Sequence, residues 1–173
     1  DIRDHDTAHM AIQAALTGHL VLSTLHTNDA PSSLARLHDL GVQPFLTAAT
    51  ILGVLAQRLV RRLCPHCKQQ TAINEQEWEH LTFDYMMDMP TTMYKAVGCE
   101  ACRQTGYKGR VGIYEFMPVS LELKSIISAN GTLDNLRAQA KKEGIEPLRI
   151  AGARKVIEGM TTLEEVLRVV PLS

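Results

Sequence analysis

The stretch that decides the fold is residues 17–30, which read Thr17-Gly18-His19-Leu20-Val21-Leu22-Ser23-Thr24-Leu25-His26-Thr27-Asn28-Asp29-Ala30. Residues 19–25 have the length and apolar composition of a strand buried in a parallel sheet. A helix can follow, because Asp29 suits an N-cap and Pro31 suits the first turn. A strand, a polar loop and a helix in this order predict an α/β fold. Ligands of such sheets bind at the carboxyl ends of the strands, so chemistry is expected at residues 24–27.

Helical periodicity surrounds this stretch. A first helix is expected over 8–15, with Asp6 and Thr7 as possible caps, and a second over 29–40. A long helix is predicted over 45–63. Its C-terminal end carries three arginines, Arg58, Arg61 and Arg62. Two roles are open for these arginines: their positive charge compensates the helix dipole, or they contact a subunit or nucleotide at an interface.

The second half of the chain is predicted to be a strand followed by helices. The strand covers 111–116, and the helices begin at Ser120, at Thr132 and at a capping box formed by Thr161 and Glu164. Before them, the methionine-rich stretch 86–89 is interpreted as filler of a small core rather than as a copper site.

Four cysteines form two pairs, Cys64-Pro65-His66-Cys67 and Cys99-Glu100-Ala101-Cys102, with 31 residues between the pairs. Two residues between thiolates let both sulfurs reach one ion, and two such pairs complete the tetrahedral shell of Zn²⁺. We therefore predict that Cys64, Cys67, Cys99 and Cys102 bind zinc, with His66 as a spacer. Four thiolates leave no open position, so the metal is expected to be structural. The alternative is two unrelated surface or redox pairs.

Composition sets limits on the partners. The 173 residues are 45% hydrophobic and carry 18 Lys+Arg against 19 Asp+Glu, which indicates a soluble globular domain or pieces of two. No basic excess is present, so no nucleic-acid partner is expected. No apolar run reaches the roughly 18 residues of a membrane span, and the charged start is unlike a signal peptide. A cytosolic protein is expected, and the start without Met suggests the C-terminal part of a longer one.

Several motifs together resemble one family. They are residues 2–4, 17–30, 56–61 and 106–110 with the two cysteine pairs, and they are similar to the GspE/PilB-like ATPases of type II secretion and type IV pilus assembly. The resemblance implies three consecutive segments. Residues 1–62 would be the C-terminal part of a RecA-like P-loop ATPase domain, 63–110 a tetracysteine metal-binding module, and 111–173 a mainly helical C-terminal subdomain.

The resemblance also implies a function and site residues. Family members are hexameric cytoplasmic ATPases, peripheral to the bacterial inner membrane, that use ATP and Mg²⁺ and work with a membrane platform and pilus or secretion assembly proteins. His26 would belong to the histidine box near the γ-phosphate, with the hydroxyls of Thr24 and Thr27 beside it. Asp1 would be the acidic residue that ends the Walker B segment, where the family usually has glutamate. The motifs do not separate the secretion ATPase from the pilus ATPase.

The phosphate-binding loop of such ATPases is not part of this sequence. No G-x-x-x-x-G-K-[ST] motif occurs in the 173 residues. The chain alone is therefore predicted to bind ATP weakly and not to hydrolyse it. The alternative function is a zinc-stapled protein-interaction adaptor without nucleotide chemistry, which explains the cysteines but not residues 19–29. A zinc-ribbon nucleic-acid module is a more distant alternative because of the charge balance.

Overall fold

The computed structural model describes residues 1–170, and its contacts divide the chain into two units. Unit 1 combines residues 1–56 with 115–146, and unit 2 combines 57–114 with the residues from 147 onward. Each unit therefore joins two separate stretches. The three consecutive segments, 1–62, 63–110 and 111–173, stay a prediction about domains.

Within residues 1–170 the chain forms eight α-helices and four strands. In order, they are α1 (His5–Leu16), α2 (Ala30–Asp39), α3 (Pro44–Thr50), β1 (Gly53–Leu63), β2 (Gln69–Thr71), α4 (Glu75–Thr82), β3 (Met93–Lys95), β4 (Tyr107–Pro118), α5 (Leu121–Ser128), α6 (Leu133–Lys142), α7 (Leu148–Ile157) and α8 (Leu163–Val169). A 3₁₀ turn covers Glu100–Cys102 between β3 and β4. The described strands pair as β1 with β4 and β2 with β3.

Helix caps decide where several helices begin. Asp29 caps α2 as expected, accepting the Ser32 N–H at 2.8 Å. Helix α1 begins one turn earlier than expected, because the Asp4 carboxylate accepts the Thr7 N–H at 2.9 Å. Asp6 and Thr7 are therefore not its N-cap. The predicted capping box at Thr161 is also wrong by one residue: Thr162 caps α8.

The predicted long helix over 45–63 is wrong. Helix α3 ends at Thr50, and residues 53–63 form β1. Two hydrogen bonds show that β1 and β4 run antiparallel: Val119 N–H donates to Leu52 O, and Cys64 N–H donates to Gly106 O, both at 2.9 Å. The apolar pattern of a short segment is compatible with either a helix or a strand. Here the segment is a strand because it pairs with β4, which is distant in sequence.

The predicted buried strand over 19–25 is also wrong. The segment belongs to no sheet among the described residues, and Leu20 and Leu22 are 75% and 88% exposed. Its neighbour in space is the start of the chain, where Ile2 N–H donates to Thr24 O at 2.8 Å. Neither two-stranded sheet of the described residues includes this segment, so its apolar composition alone does not make it a strand.

Each unit has its own apolar core. Unit 1 buries side chains of α2, α3, α5, α6 and the end of β4, with Leu34, Met117 and Leu123 at 0% exposure. Unit 2 packs α4 and β3 against α7 and α8 around Trp78 and Val166. No helix within residues 1–170 has both the length and the apolar composition that crossing a bilayer requires.

Candidate functional site

The four cysteines meet at one point of unit 2. All four Sγ atoms lie within 4.8 Å of one another. The Sγ separations are 3.9 Å for Cys64–Cys99, 3.8 Å for Cys67–Cys102 and 3.8 Å for Cys99–Cys102. A tetrahedron with Zn–S bonds of about 2.3 Å has sulfur–sulfur edges of about 3.8 Å. Three of the six sulfur–sulfur distances therefore match a tetrathiolate metal site, and all six lie within 4.8 Å. The prediction that the two pairs come together is confirmed.

Local backbone geometry closes the two cysteine turns. In the first turn, the N–H groups of Cys67 and Lys68 both donate to Cys64 O. In the second, Arg103 and Gln104 follow the 3₁₀ turn with positive φ. Gly98 has φ +117°, and a Cβ at this position would lie 2.7 Å from Gln104 O. Only glycine fits there without displacing the turn that carries the second cysteine pair.

Backbone amides point at the sulfurs. Gly106 and Cys99 donate N–H to Cys102 Sγ at 3.2 Å, and Gly98 donates to Cys67 Sγ at 3.4 Å. Burial raises the pKa of the Cys102 thiol, but the two amide donors together with hydrogen bonds from the Cys99 and Cys67 thiols outweigh it and bring that pKa to about 6. Burial raises the pKa of the Cys67 thiol to about 11. The site thus stabilises a thiolate at Cys102, the form that binds metal.

Three of the predicted nucleotide-site residues lie together in unit 1. Thr24 Oγ1 donates to Asp1 Oδ1 at 2.9 Å, and His26 Nε2 lies 3.6 Å from Asp1 Oδ2. Arg3 Nε also donates to Asp1 Oδ2. The Asp1 side chain is 23% exposed, whereas that of His26 is 87% exposed. The imidazole therefore remains accessible to a ligand while the carboxylate beside it is held by two donors.

The fourth predicted residue, Thr27, contacts the start of α2. Its Oγ1 is 2.7 Å from Ser33 Oγ and donates to Asp29 O at 3.2 Å, in the first turn of α2. Its role beside phosphate stays a prediction.

Helix α2, which follows this loop, has two anchors that sequence reasoning missed. Arg137 of α6 forms an ion pair with Asp29 at 2.7 Å, and the Glu115 carboxylate of β4 accepts the Ala30 N–H at 3.3 Å. Glu115 is only 3% exposed. Burial raises the pKa of Asp29, but hydrogen bonds from Ser32 and Arg137 lower it below its usual value. No local pattern marks these partners, because they lie about 85 to 108 residues away in sequence.

Unit 2 contains a buried carboxylate that the sequence also did not indicate. The Glu165 side chain has 0% exposure and accepts hydrogen bonds from the guanidinium groups of Arg61 and Arg168, each at 2.7 Å. Arg61 lies 4.1 Å above the Tyr107 ring. Burial raises the pKa of Glu165, but the two arginines outweigh it and bring that pKa to about 2. Arg61 is thus paired with Glu165 and lies in strand β1, so it does not compensate the dipole of a helix.

Residues 1–168 match the model of the Type II/IV secretion system protein family. The chain belongs to this family. The match covers both units, including the cysteine site and the group around Asp1 and His26, so the resemblance drawn from the motifs is confirmed.

Curated relatives carry names from both branches of the family. The type IV pilus assembly ATPase TfpB of Acinetobacter baylyi is 72% identical over 173 residues, which is all of this chain and 30% of the relative. Type II secretion system protein E of Pseudomonas aeruginosa is 48% identical over 169 residues, covering 98% of this chain and 33% of the relative. The chain thus spans about a third of the length of these relatives.

A solved structure shares the fold. The pilus retraction motor PilT with bound ADP matches 99% of this chain and 38% of its own, with a TM-score of 0.66 and 20% sequence identity. The similarity supports the predicted α/β class and shows a common architecture.

Proposed function

We propose that the chain is the C-terminal part of a hexameric ATPase that powers pilus or pseudopilus assembly. The observation that carries the proposal is the 72% identity, over the whole chain, to a protein named type IV pilus assembly ATPase. The secretion relative is 48% identical, so pilus assembly is favoured over type II secretion. The complete protein would work in the cytoplasm at the inner membrane, together with a platform and the assembly proteins.

Within this proposal, residues 1–62 are the C-terminal part of a RecA-like domain that binds ATP and Mg²⁺. His26 contacts the γ-phosphate, and Asp1 supplies the acidic group near it, with Thr24 as a further polar contact. The 3.6 Å distance between His26 and Asp1 and the exposure of the imidazole support these roles. A ring nitrogen that donates to phosphate oxygen loses that partner on hydrolysis, so the loop can report the nucleotide state.

The cysteine site is proposed to hold structural zinc. Its support is the Sγ spacing of 3.8–3.9 Å and the chemistry of the donor set, four thiols with backbone amides aimed at two of them. When bound, zinc would join the chain around Cys64 and Cys67 to that around Cys99 and Cys102. Four sulfur ligands leave no position for a reacting water, so the metal would not take part in hydrolysis.

The nucleotide role is tested with His26→Gln in the full-length protein. We expect a loss of about 100-fold or more in kcat for ATP hydrolysis, in the range known for removal of one charge-stabilising donor. The control is His9→Gln, which changes another exposed histidine of unit 1. Equal activity of His26→Gln and the control would contradict the assignment.

The same assay separates the proposal from the adaptor alternative. A full-length protein that is folded and metal-loaded but shows no ATP hydrolysis would favour the zinc-stapled adaptor. Metal analysis of the purified protein tests the cysteine site itself. We expect one zinc per chain and none after Cys64→Ser with Cys99→Ser, and a wild-type protein without bound metal would contradict the zinc proposal.

A further inference from the structure

The loop between α4 and β3 exposes large apolar side chains. Phe83 is 73% exposed, Met86 is fully exposed at 108%, and Met89 is 46% exposed. Single exposed apolar residues are ordinary, but three within seven residues form a local apolar surface. Of the methionine-rich stretch, Met87 alone packs against the core of unit 2, as the sequence interpretation expected. The other two methionines of that stretch have no such role.

The loop is fixed rather than loose. Arg149 of α7 donates to Leu81 O at 2.6 Å and to Phe83 O at 2.8 Å, and its guanidinium lies 4.9 Å from the Tyr85 ring centroid. Met87 anchors the middle of the loop in the core. A loop whose backbone is anchored loses little backbone entropy when a partner binds, while its exposed side chains stay free to adapt.

The charged side chains of α4 and of the loop after it are acidic, and Arg149, the basic residue that anchors this loop, donates to its backbone carbonyls. Residues 74–89 include no Lys or Arg, although the whole chain has 18 Lys+Arg against 19 Asp+Glu. Their five acidic residues are Glu75, Glu77, Glu79, Asp84 and Asp88. The dipole of α4 accounts for Glu75 and Glu77 in its first turn, but not for the exposed Glu79 and Asp88. This charge disfavours the phosphates of nucleic acids and anionic lipids.

We propose that residues 83–89 and the acidic side chains of α4 form a docking surface for a basic amphipathic helix of a partner protein. Unbranched methionine side chains adapt to the apolar face of a helix, as flexible recognition surfaces do. Glu79 and Asp88 complement Lys and Arg on the polar face of that helix, which favours association and fixes its orientation. The surface lies in unit 2 and uses none of the residues assigned to nucleotide or metal.

The proposal is tested by site-specific photo-crosslinking in cells that make the full-length protein. Benzoylphenylalanine replaces Met86, and the control replaces Leu121, which is 80% exposed in unit 1. After irradiation, mass spectrometry maps the crosslinked peptide. We expect the probe at position 86 to label a segment of another protein with Lys or Arg and apolar residues at helical spacing, and the probe at position 121 not to label it.

A synthetic peptide of the labelled segment then gives the affinity for the full-length protein. We expect Glu79→Lys with Asp88→Lys to weaken binding about tenfold or more, and Met86→Ser to weaken it with no change in melting temperature. The control, Glu122→Lys with Asp134→Lys, makes the same charge change in unit 1 and is expected to leave binding unchanged. Three results would overturn the proposal. The first is labelling at position 86 that is no stronger than at position 121. The second is labelling of lipid, nucleic acid, a second copy of this chain or a segment without the basic helical pattern, and the third is unchanged binding after the charge reversal.

Discussion

At the scale of single residues, Glu165 is the clearest example of a buried charge whose partners decide its effect. Its carboxylate has no solvent contact and is satisfied by Arg61 and Arg168. A buried ion pair is costly to break, because the remaining charges lose their partner. Arg61 and Arg168 are half exposed, at 47% and 59%, so water compensates part of that loss.

We predict that Glu165→Gln lowers the free energy of unfolding by about 3 kcal/mol at neutral pH, as expected for a buried carboxylate that loses its paired charge. The pKa of Glu165 is about 2, below its usual 4.5, so its contribution is complete above pH 4.5 and is lost as pH falls toward 2. Urea denaturation of both proteins across this range measures the difference. Glu164→Gln, an exposed neighbour, is the control. A pH-independent difference between wild type and Glu165→Gln would contradict the pairing.

Gly98 gives a second prediction at this scale. An alanine there meets both a positive φ and a Cβ contact of 2.7 Å with Gln104 O, in the turn that carries Cys99 and Cys102. We expect Gly98→Ala to lower both zinc content and melting temperature. The matched control is Gly109→Ala, where φ is +79° but nothing lies within 4 Å of the added Cβ. Equal effects of the two variants would show that backbone strain alone, and not the close contact, makes glycine necessary at position 98.

At the scale of elements, local signals predicted three of the helix starts, although the caps of α1 and α8 lie one to three residues from the predicted ones. The N-cap of α2 was identified at Asp29, and the caps of α5 and α6 at Ser120 and Thr132, because capping depends on a few consecutive residues. The prediction that the two cysteine pairs form one cluster was also correct, since their spacing implies a common ion. These features required no knowledge of distant contacts.

Errors arose where distant segments decide the structure. Residues 53–63 form a strand because β4 pairs with them from more than 40 residues away, and their apolar pattern alone allowed a helix. Residues 19–25 have the composition of a buried strand, yet most of them are exposed among the described residues. The sequence analysis missed the roles of three residues for the same reason: the groups that Glu115, Arg137 and Glu165 bind lie far away in sequence.

Removal of metal is predicted to loosen the cysteine turns first. The thiolates of a tetrathiolate site repel one another without the ion, and binding free energy there is folding free energy. With a chelator, we expect faster hydrogen exchange at the amides of Cys67, Gly98 and Gly106, which belong to these turns. The amide of Leu123, in α5 of unit 1, is the internal control. Unchanged exchange at the three amides after confirmed metal loss would contradict a structural role for the metal.

At the scale of the whole molecule, the two units divide the proposed tasks. Unit 1 contains Asp1, Thr24 and His26 and the anchored helix α2, and unit 2 contains the cysteine site, Glu165 and the 83–89 surface. The chain corresponds to about a third of its relatives and has no phosphate-binding loop in its sequence. In the proposed function, its histidine and acidic group therefore need the rest of the complete protein to complete a nucleotide site.

The measurement that tests this account most directly is ATP hydrolysis by the full-length protein and by the 173-residue chain, both folded and metal-loaded, at equal molar concentration. We predict turnover by the full-length protein and none above background by the 173-residue chain, because the chain lacks the loop that cradles the phosphates. Turnover by the isolated chain, or a full-length protein that does not hydrolyse ATP, would contradict the account.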